Sequence, residues 1–357
     1  MKSSPFNIGI VTWDFLSPKG GLGRAMQMIA SGMKEAGHDV RVLTPKAGDD
    51  AYASWTKKVG LHPIFSLCVF LGISSWISRT KREIIVVPCG PGGVWLFRKL
   101  HTCKVVAIVH HTSWQQSRLV PGQWWKRVFV PFEKRTLRCA DKVCCYSEDT
   151  QKILLQHYKC QADVIPHFVD TEADVAVVQK ETGLCVCIAR LEKRKGVQVL
   201  VDAWKTVAKQ YPAARLEIVG DGHLALAIDT VCLGCSSVVR TASLPRKELL
   251  ALISRAEILI CPSYLEGFGL AVAEAMALST PVIASNADGL TSLLSHEETG
   301  ILVHPGDSGA LADAIILLLE DDQRRIALAE RAKQDFQMRF SAESAKTALQ
   351  KTFESLY

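Results

Sequence analysis

Residues 256–285 constrain this chain most. An apolar run, Ala256–Cys261 (AEILIC), is followed by a tight glycine loop, a helix-forming stretch over Leu270–Leu278 and a second apolar run, Pro281–Ala284. Strand, tight loop, helix and strand make a parallel βαβ unit, and the loop at the C-terminal end of its first strand is where such sheets bind ligands. Within that loop Gly267 and Gly269 let the backbone approach a phosphate or sugar closely. The N–H groups around Phe268–Ala271 lie at the positive end of the helix. Glu266 stands just before the glycines, and Glu274 lies one helical turn beyond Leu270, projecting beside the same mouth. A carboxylate there can accept hydrogen bonds from two neighbouring hydroxyls, such as those of a ribose. Taken singly, Glu274 suits a helix dipole and Glu266 suits an ordinary loop. The pair flanking EGFG points instead to a sugar nucleotide.

The alternation recurs along the chain. At 357 residues the length suits two domains, and 48% hydrophobic content is that of a globular protein. The first domain is expected over residues 1–170. A strand at Asn7–Thr12 leads into Gly20-Gly21-Leu22-Gly23-Arg24, a helix to about Gly37 and a strand Asp39–Leu43. The dinucleotide pattern G-x-G-x-x-G fails on spacing, because Met26 stands where its last glycine would fall. A glycine loop before a helix still offers N–H donors to a diphosphate. Val105–His111 reads as a further strand ending in His110 and His111, at the face where open α/β sheets bind ligands. Residues 165–170 and the polar stretch after them read as a hinge.

The second domain is expected over residues 183–340, with a strand at Leu184–Ala189 and a helix at Gly196–Tyr211. Between them RLEKRKG has, on composition alone, the look of a solvated turn. Its place at a strand's C-terminal end, in the domain that carries EGFG, favours Arg190 and Lys195 as cations for the charge that develops on a departing diphosphate. At ~4 Å and an effective dielectric near 20, each such contact contributes up to about 4 kcal/mol of Coulomb energy. Arg and Lys would then take the electrostatic role of a metal.

The stretch CPSYLEGFGLAVAEAMALSTPVIAS resembles the E-x7-E signature of retaining glycosyltransferases of family 4. The likeness extends through SPKGGLGRAMQMIASGMKEAGHDVRVLT, VVAIVHH, ADKVCCYSE, VIPHFVD, CIARLEKRKG, EIVGDG and GILVHPGD, over nearly the whole chain. It implies the α/β GT-B fold: two Rossmann-like, doubly wound parallel-sheet domains facing across a cleft, with a final helix over residues 341–357 crossing back onto the first. It also implies a retaining, metal-independent transfer of a hexose-type sugar from a nucleotide-sugar donor to a glycan or lipid-linked acceptor, with no cofactor. By resemblance Glu274 binds the ribose and Glu266 the transferred sugar, while the backbone of Gly267, Phe268, Gly269 and Leu270 faces sugar and phosphate. Arg190 and Lys195 hold the diphosphate, the Gly21 and Gly23 loop meets a phosphate, and His110 reaches the sugar. Catalytic roles are thus expected of Glu266, His110, Arg190 and Lys195. The chain departs from the family where Ala189, Ser243, Ser279 and Asp288 replace glycines, Ser292 a glutamate, and His167-Phe168 an Asn-Gly pair. A non-catalytic nucleotide-sugar-binding or scaffold protein of the same fold is the alternative. A glycoside hydrolase using Glu266 and Glu274 would leave the phosphate-binding features without purpose.

Charge is unevenly split. Residues 1–170 hold 23 Lys and Arg against 12 Asp and Glu, and the remainder 19 against 24. The first half is therefore the half that meets an anionic partner. No recognition motif supports nucleic acid; an anionic membrane surface, met by peripheral contact, or a lipid-phosphate acceptor fits better. Ile64–Ile77, flanked by basic residues, is shorter than the ~20 apolar residues a spanning helix needs and reads as a buried helix. Val120–Arg138 interleaves Trp124, Trp125, Phe129 and Phe132 with Lys126, Arg127, Lys134 and Arg135, a composition that can seat a helix at a lipid interface, although Pro131 interrupts it and core packing of the same aromatics accounts for it equally well. The twelve cysteines are scattered, and Cys232-x-x-Cys235 lacks a second pair for zinc. No leader is read ahead of the first strand, and a reducing cytoplasm is expected.

Overall fold

The computed structural model describes residues 5–13, 15, 21–44, 50–51, 62–167, 169, 179–340 and 342–357. Gly20, Phe168, Asp170 and most of the expected hinge lie outside them. The chain divides into two compact units. The first comprises Met1–Arg118, Gly122–Phe168 and Phe340–Tyr357, the second Leu119–Pro121 and Val169–Arg339.

The first unit is built on strands β1 (Asn7–Val11), β2 (Asp39–Thr44), β3 (Asp50–Ala51), β4 (Ile84–Cys89), β5 (Lys104–Val109), β6 (Lys142–Cys145) and β7 (Asp163–Val164). All pair in parallel, in the order β3-β2-β1-β4-β5-β6-β7. The central strands IIVVPC and KVVAIV are near-continuous apolar runs because helices cover both faces. The helices are α1 (Gly21–Glu35), α2 (His62–Thr80), α3 (Ser113–Leu119), α4 (Val130–Cys139) and α5 (Glu148–Ile153). Helix α1 buries Ala25, Met26, Ile29, Ala30 and Met33, a stripe at helical spacing. Helix α2 extends the expected Ile64–Ile77 at both ends and buries Val69, Ile73, Trp76 and Ile77. Among the described residues no helix is long and apolar enough to cross a membrane. Pro131 does not break its segment. It falls in the first turn of α4, where the missing N–H would have had no helical partner.

The second unit repeats the scheme with β8 (Glu181–Ile188), β9 (Arg215–Val219), β10 (Val238–Thr241), β11 (Ala256–Cys261), β12 (Val282–Ser285) and β13 (Ile301–Val303), in the order β10-β9-β8-β11-β12-β13. Its helices are α6 (Val197–Gln210), α7 (Ala225–Gly234), α8 (Arg246–Arg255), α9 (Leu270–Ala277), α10 (Ser308–Glu320) and α11 (Asp322–Arg339). Cys185 and Cys187 are buried in its apolar core as small hydrophobes.

The last helix, α12 (Ala342–Glu354), belongs to the first unit. Ala345, Leu349 and Phe353, four residues apart, are buried. The Phe353 ring meets Phe6 edge-on with centroids 6.4 Å apart, and Lys346 Nζ lies 2.5 Å from a Glu35 carboxylate oxygen.

Candidate active site

In the second sheet the strand order reverses between β8 and β11, which pair through Ile258↔Cys185 and Leu259↔Val186. The crevice beyond the carboxyl ends of two strands at such a reversal is the ligand site of open parallel sheets. The segments leaving those two ends are residues 189–196 and 262–269, which carry Arg190, Lys195 and Glu266.

Two glycines and a set of hydrogen bonds fix these loops. Gly196 has φ +61°, and a Cβ there would fall 2.0 Å from the Pro262 carbonyl oxygen, so only glycine lets the first loop close onto the second. Tyr264 N–H donates to Arg194 O at 2.9 Å, and Arg194 Nη1 donates to Leu265 O at 2.9 Å. Beneath the second loop Gly289 has φ +86°, with a virtual Cβ 2.6 Å from Glu266 O, while Glu266 N–H donates to Asp288 O at 3.1 Å.

Glu266 is thereby buried among four partners, the weakest of them the Cys261 thiol at 3.9 Å from Oε1. Oε1 accepts from Lys195 Nζ at 2.5 Å and Ser263 Oγ at 2.9 Å, and Oε2 lies 3.5 Å from Arg194 Nη1. Burial alone would raise the carboxyl's pKa. The Lys195 and Arg194 charges, with the Lys195 and Ser263 hydrogen bonds, outweigh it and hold the pKa down to about 2. At neutral pH Glu266 is an ionised, acceptor-only group, which does not suit it to the acid step of a glycosidase.

Arg190 stands differently. Its side chain is 50% exposed, with Nη2 3.1 Å from Glu192 Oε1, so the guanidinium can turn to an incoming anion. Glu274, on α9, is buried, and its Oε1 lies 2.8 Å from Nη1 of Arg246 at the start of α8. Gly269 caps α9 with φ +95°, and Phe268 before it is buried. The structure thus brings Lys195 and Glu266 into direct contact and puts Arg190 on the same loop as Lys195.

In the first unit Gly21 opens α1, whose first turn has no acidic residue to occupy its N–H groups, and Gly23 is buried on the same helix. His110 follows β5 and is buried, and its Nε2 has no hydrogen-bond partner among the described residues. Burial, helped by His167, lowers its pKa to about 3, so the ring is neutral at physiological pH. It packs edge-on against Tyr146 at 4.9 Å and against His167 at 6.1 Å between centroids.

Two residues escaped the sequence reading. Arg194 sits in a run of four basic residues within six positions that looks solvated. The only cue that it folds inward is the glycine at 196, which lets the loop close. Arg246 follows Pro245 at a helix start, and nothing local marks it as the partner of Glu274. Among the described residues no group of three or more His, Cys, Asp or Glu could hold a metal ion. Cys235 Sγ instead lies 3.3 Å from Ser237 Oγ.

Two doubly wound parallel sheets, the second with a buried carboxylate–cation group at its reversal point, define a GT-B-type glycosyltransferase architecture. The chain belongs to glycosyltransferase family 4. Residues 19–173 match the family profile described as Glycosyltransferase Family 4, and residues 169–335 that of Glycosyl transferases group 1. It is 30% identical over 293 residues to a D-inositol 3-phosphate glycosyltransferase of Corynebacterium aurimucosum, covering 72% of this chain and 68% of that one. It spans 62% of a second protein of that name from Corynebacterium kroppenstedtii. In fold it is similar to a sucrose-phosphate synthase from Thermosynechococcus elongatus, with a TM-score of 0.84 at 21% identity over 98% of both chains. It is also similar to Anabaena HepE in complex with UDP-glucose, with a TM-score of 0.72 at 18% identity over 97% of this chain and 99% of that one.

Proposed function

We propose that this protein transfers a hexose-type sugar from a nucleotide-sugar donor to a glycan or lipid-linked acceptor, with retention of configuration and without a metal. We place the reaction in the cytoplasm, in cell-surface polysaccharide or glycolipid synthesis, with peripheral contact at the membrane. The observation that carries this reading is the Glu266–Lys195–Arg194 group with Arg190 beside it, at the carboxyl ends of β8 and β11. As the glycosidic C–O bond breaks, negative charge grows on the diphosphate. Arg190 is free to turn towards it, and the Lys195 ammonium, which spends one N–H on Glu266, keeps two more for phosphate oxygens. Glu266, whose Oε2 keeps a lone pair beyond the one facing Arg194, accepts from a hydroxyl of the transferred sugar, and Glu274, fixed by Arg246, accepts from the ribose. Family resemblance assigns His110 to a sugar hydroxyl, and its Nε2, without a hydrogen-bond partner among the described residues, has that bond to give or take.

Turnover of donor by Arg190→Ala tests the scheme. Loss of one charge contact made in the transition state lowers the rate on the order of 10²–10³; a rate within twofold of wild type refutes the diphosphate role. Donor binding by the wild-type chain without any turnover favours the scaffold alternative.

A further inference from the structure

We infer that residues 124–138 form a docking surface for an anionic membrane. The inference extends the membrane contact proposed above by naming the surface, and it rests on that reading only for the nature of the acceptor. Its basis is a cluster of large apolar side chains left outside the core. Residues Trp124–Phe129 form a 3₁₀ helix with no buried residue, although four of its six side chains are large and apolar. Trp124 is 75% exposed, Val128 59% and Trp125 46%, and Phe132 on the adjoining α4 is 38% exposed. Helix α4 buries the polar side chains of Glu133 and Thr136 alongside Leu137 and Cys139 and leaves Phe132 outside. Glu133 is held inside by Ser113 N–H at 3.0 Å, Ser113 Oγ at 2.6 Å and Tyr158 OH at 2.5 Å, so α4 cannot roll to hide Phe132 without breaking these bonds.

The exposed rings are also pre-set. Phe132 stacks on Trp95 with centroids 4.8 Å apart, Phe129 lies 5.7 Å from Trp95, and Trp125 meets Phe129 at 5.9 Å. Lys126 Nζ sits 4.5 Å from the centre of the Trp125 ring, which brings an ammonium to the rim of the apolar patch. Residues 124–138 contain five basic residues, Lys126, Arg127, Lys134, Arg135 and Arg138, and one acidic residue, the buried Glu133. A rigid aromatic face in a segment with five basic residues to one acid fits an interface that offers hydrocarbon behind anionic headgroups. A protein partner with an apolar groove would satisfy the rings but would need acidic groups placed opposite the basic side chains as well.

Co-sedimentation of the full chain with phosphatidylcholine vesicles, plain or containing phosphatidylglycerol, tests the surface. The expected result is binding to the anionic vesicles only, with a blue shift of tryptophan emission and release at ~0.5 M salt, where screening lengths fall to a few ångströms. Lys126→Gln with Arg127→Gln weakens binding roughly 25-fold, about fivefold per charge. Trp124→Ser with Trp125→Ser weakens it roughly tenfold or more. Both double variants keep the wild-type melting temperature, because none of the four side chains is buried. No binding to anionic vesicles at low salt overturns the proposal. So does binding that is indifferent to both double variants, or a wild-type dimer that Trp124→Ser with Trp125→Ser dissolves, which would make the patch a contact between two copies. Donor-induced stabilisation of the same variants separates the two readings: if it persists while vesicle binding fails, only the docking surface falls.

Discussion

Ser279 holds a left-handed backbone, φ +53°, after the last turn of α9, at a position where the resemblance to the family implies glycine. An L side chain pays about 1–2 kcal/mol of steric energy there, part of which glycine's greater freedom in the unfolded chain cancels. Ser279→Gly is therefore expected to stabilise the protein by about 0.5–1 kcal/mol in urea unfolding; no change or a loss would show that the serine is held by something worth more. Glu266 gives the opposite kind of effect. Its folded pKa of about 2 lies below the ordinary 4.5, so the stability it contributes is fully present above pH 4.5 and is lost as pH falls towards 2. Between pH 5 and pH 3 wild type should lose roughly 2 kcal/mol more than Glu266→Gln, measured by denaturant titration at each pH. Equal losses would mean that the Lys195 and Arg194 charges do not hold the carboxylate as the geometry indicates. Both glutamates were legible in the sequence because they bracket a glycine loop. Their cationic partners Arg194 and Arg246 were less so, because a charged side chain's inward turn is decided by a contact distant in sequence, Leu265 O in one case and Glu274 in the other.

At the scale of elements, the parallel strands were easy to read, since burial on both faces leaves unbroken apolar runs such as AEILIC and KVVAIV. The segment around Pro131 was harder. Proline disrupts a helix interior but not its first turn, and the sequence does not say where the first turn falls. Helix α12 shows what a single element contributes to its unit. Phe353 is fully buried against Phe6, and truncating such a ring leaves a cavity that neighbours fill only in part. Phe353→Ala is expected to cost about 3–5 kcal/mol in denaturant unfolding, with the loss felt by the first unit that α12 belongs to. A cost below 1 kcal/mol would mean that α12 is dispensable to that unit.

For the whole molecule, the order and spacing of the sequence blocks anticipated two doubly wound sheets, and the structure has them, each strand parallel to its neighbours. Charge divides along the same line: the excess of basic residues lies in residues 1–170, which supply most of the first unit, while the second half is net acidic yet gathers Arg190, Arg194 and Lys195 at its one strand-order reversal. Three cations gathered at one crevice suit the proposed diphosphate leaving group, and this is the core of the functional account. The direct test is a thermal-unfolding titration with UDP-, GDP- and ADP-sugars, run on wild type and on Glu274→Ala. The account predicts that one nucleotide class stabilises wild type, by about 2.7 kcal/mol at 100 times its dissociation constant, and that Glu274→Ala abolishes the effect while remaining folded. A well-folded wild-type protein that none of these donors stabilises would contradict it.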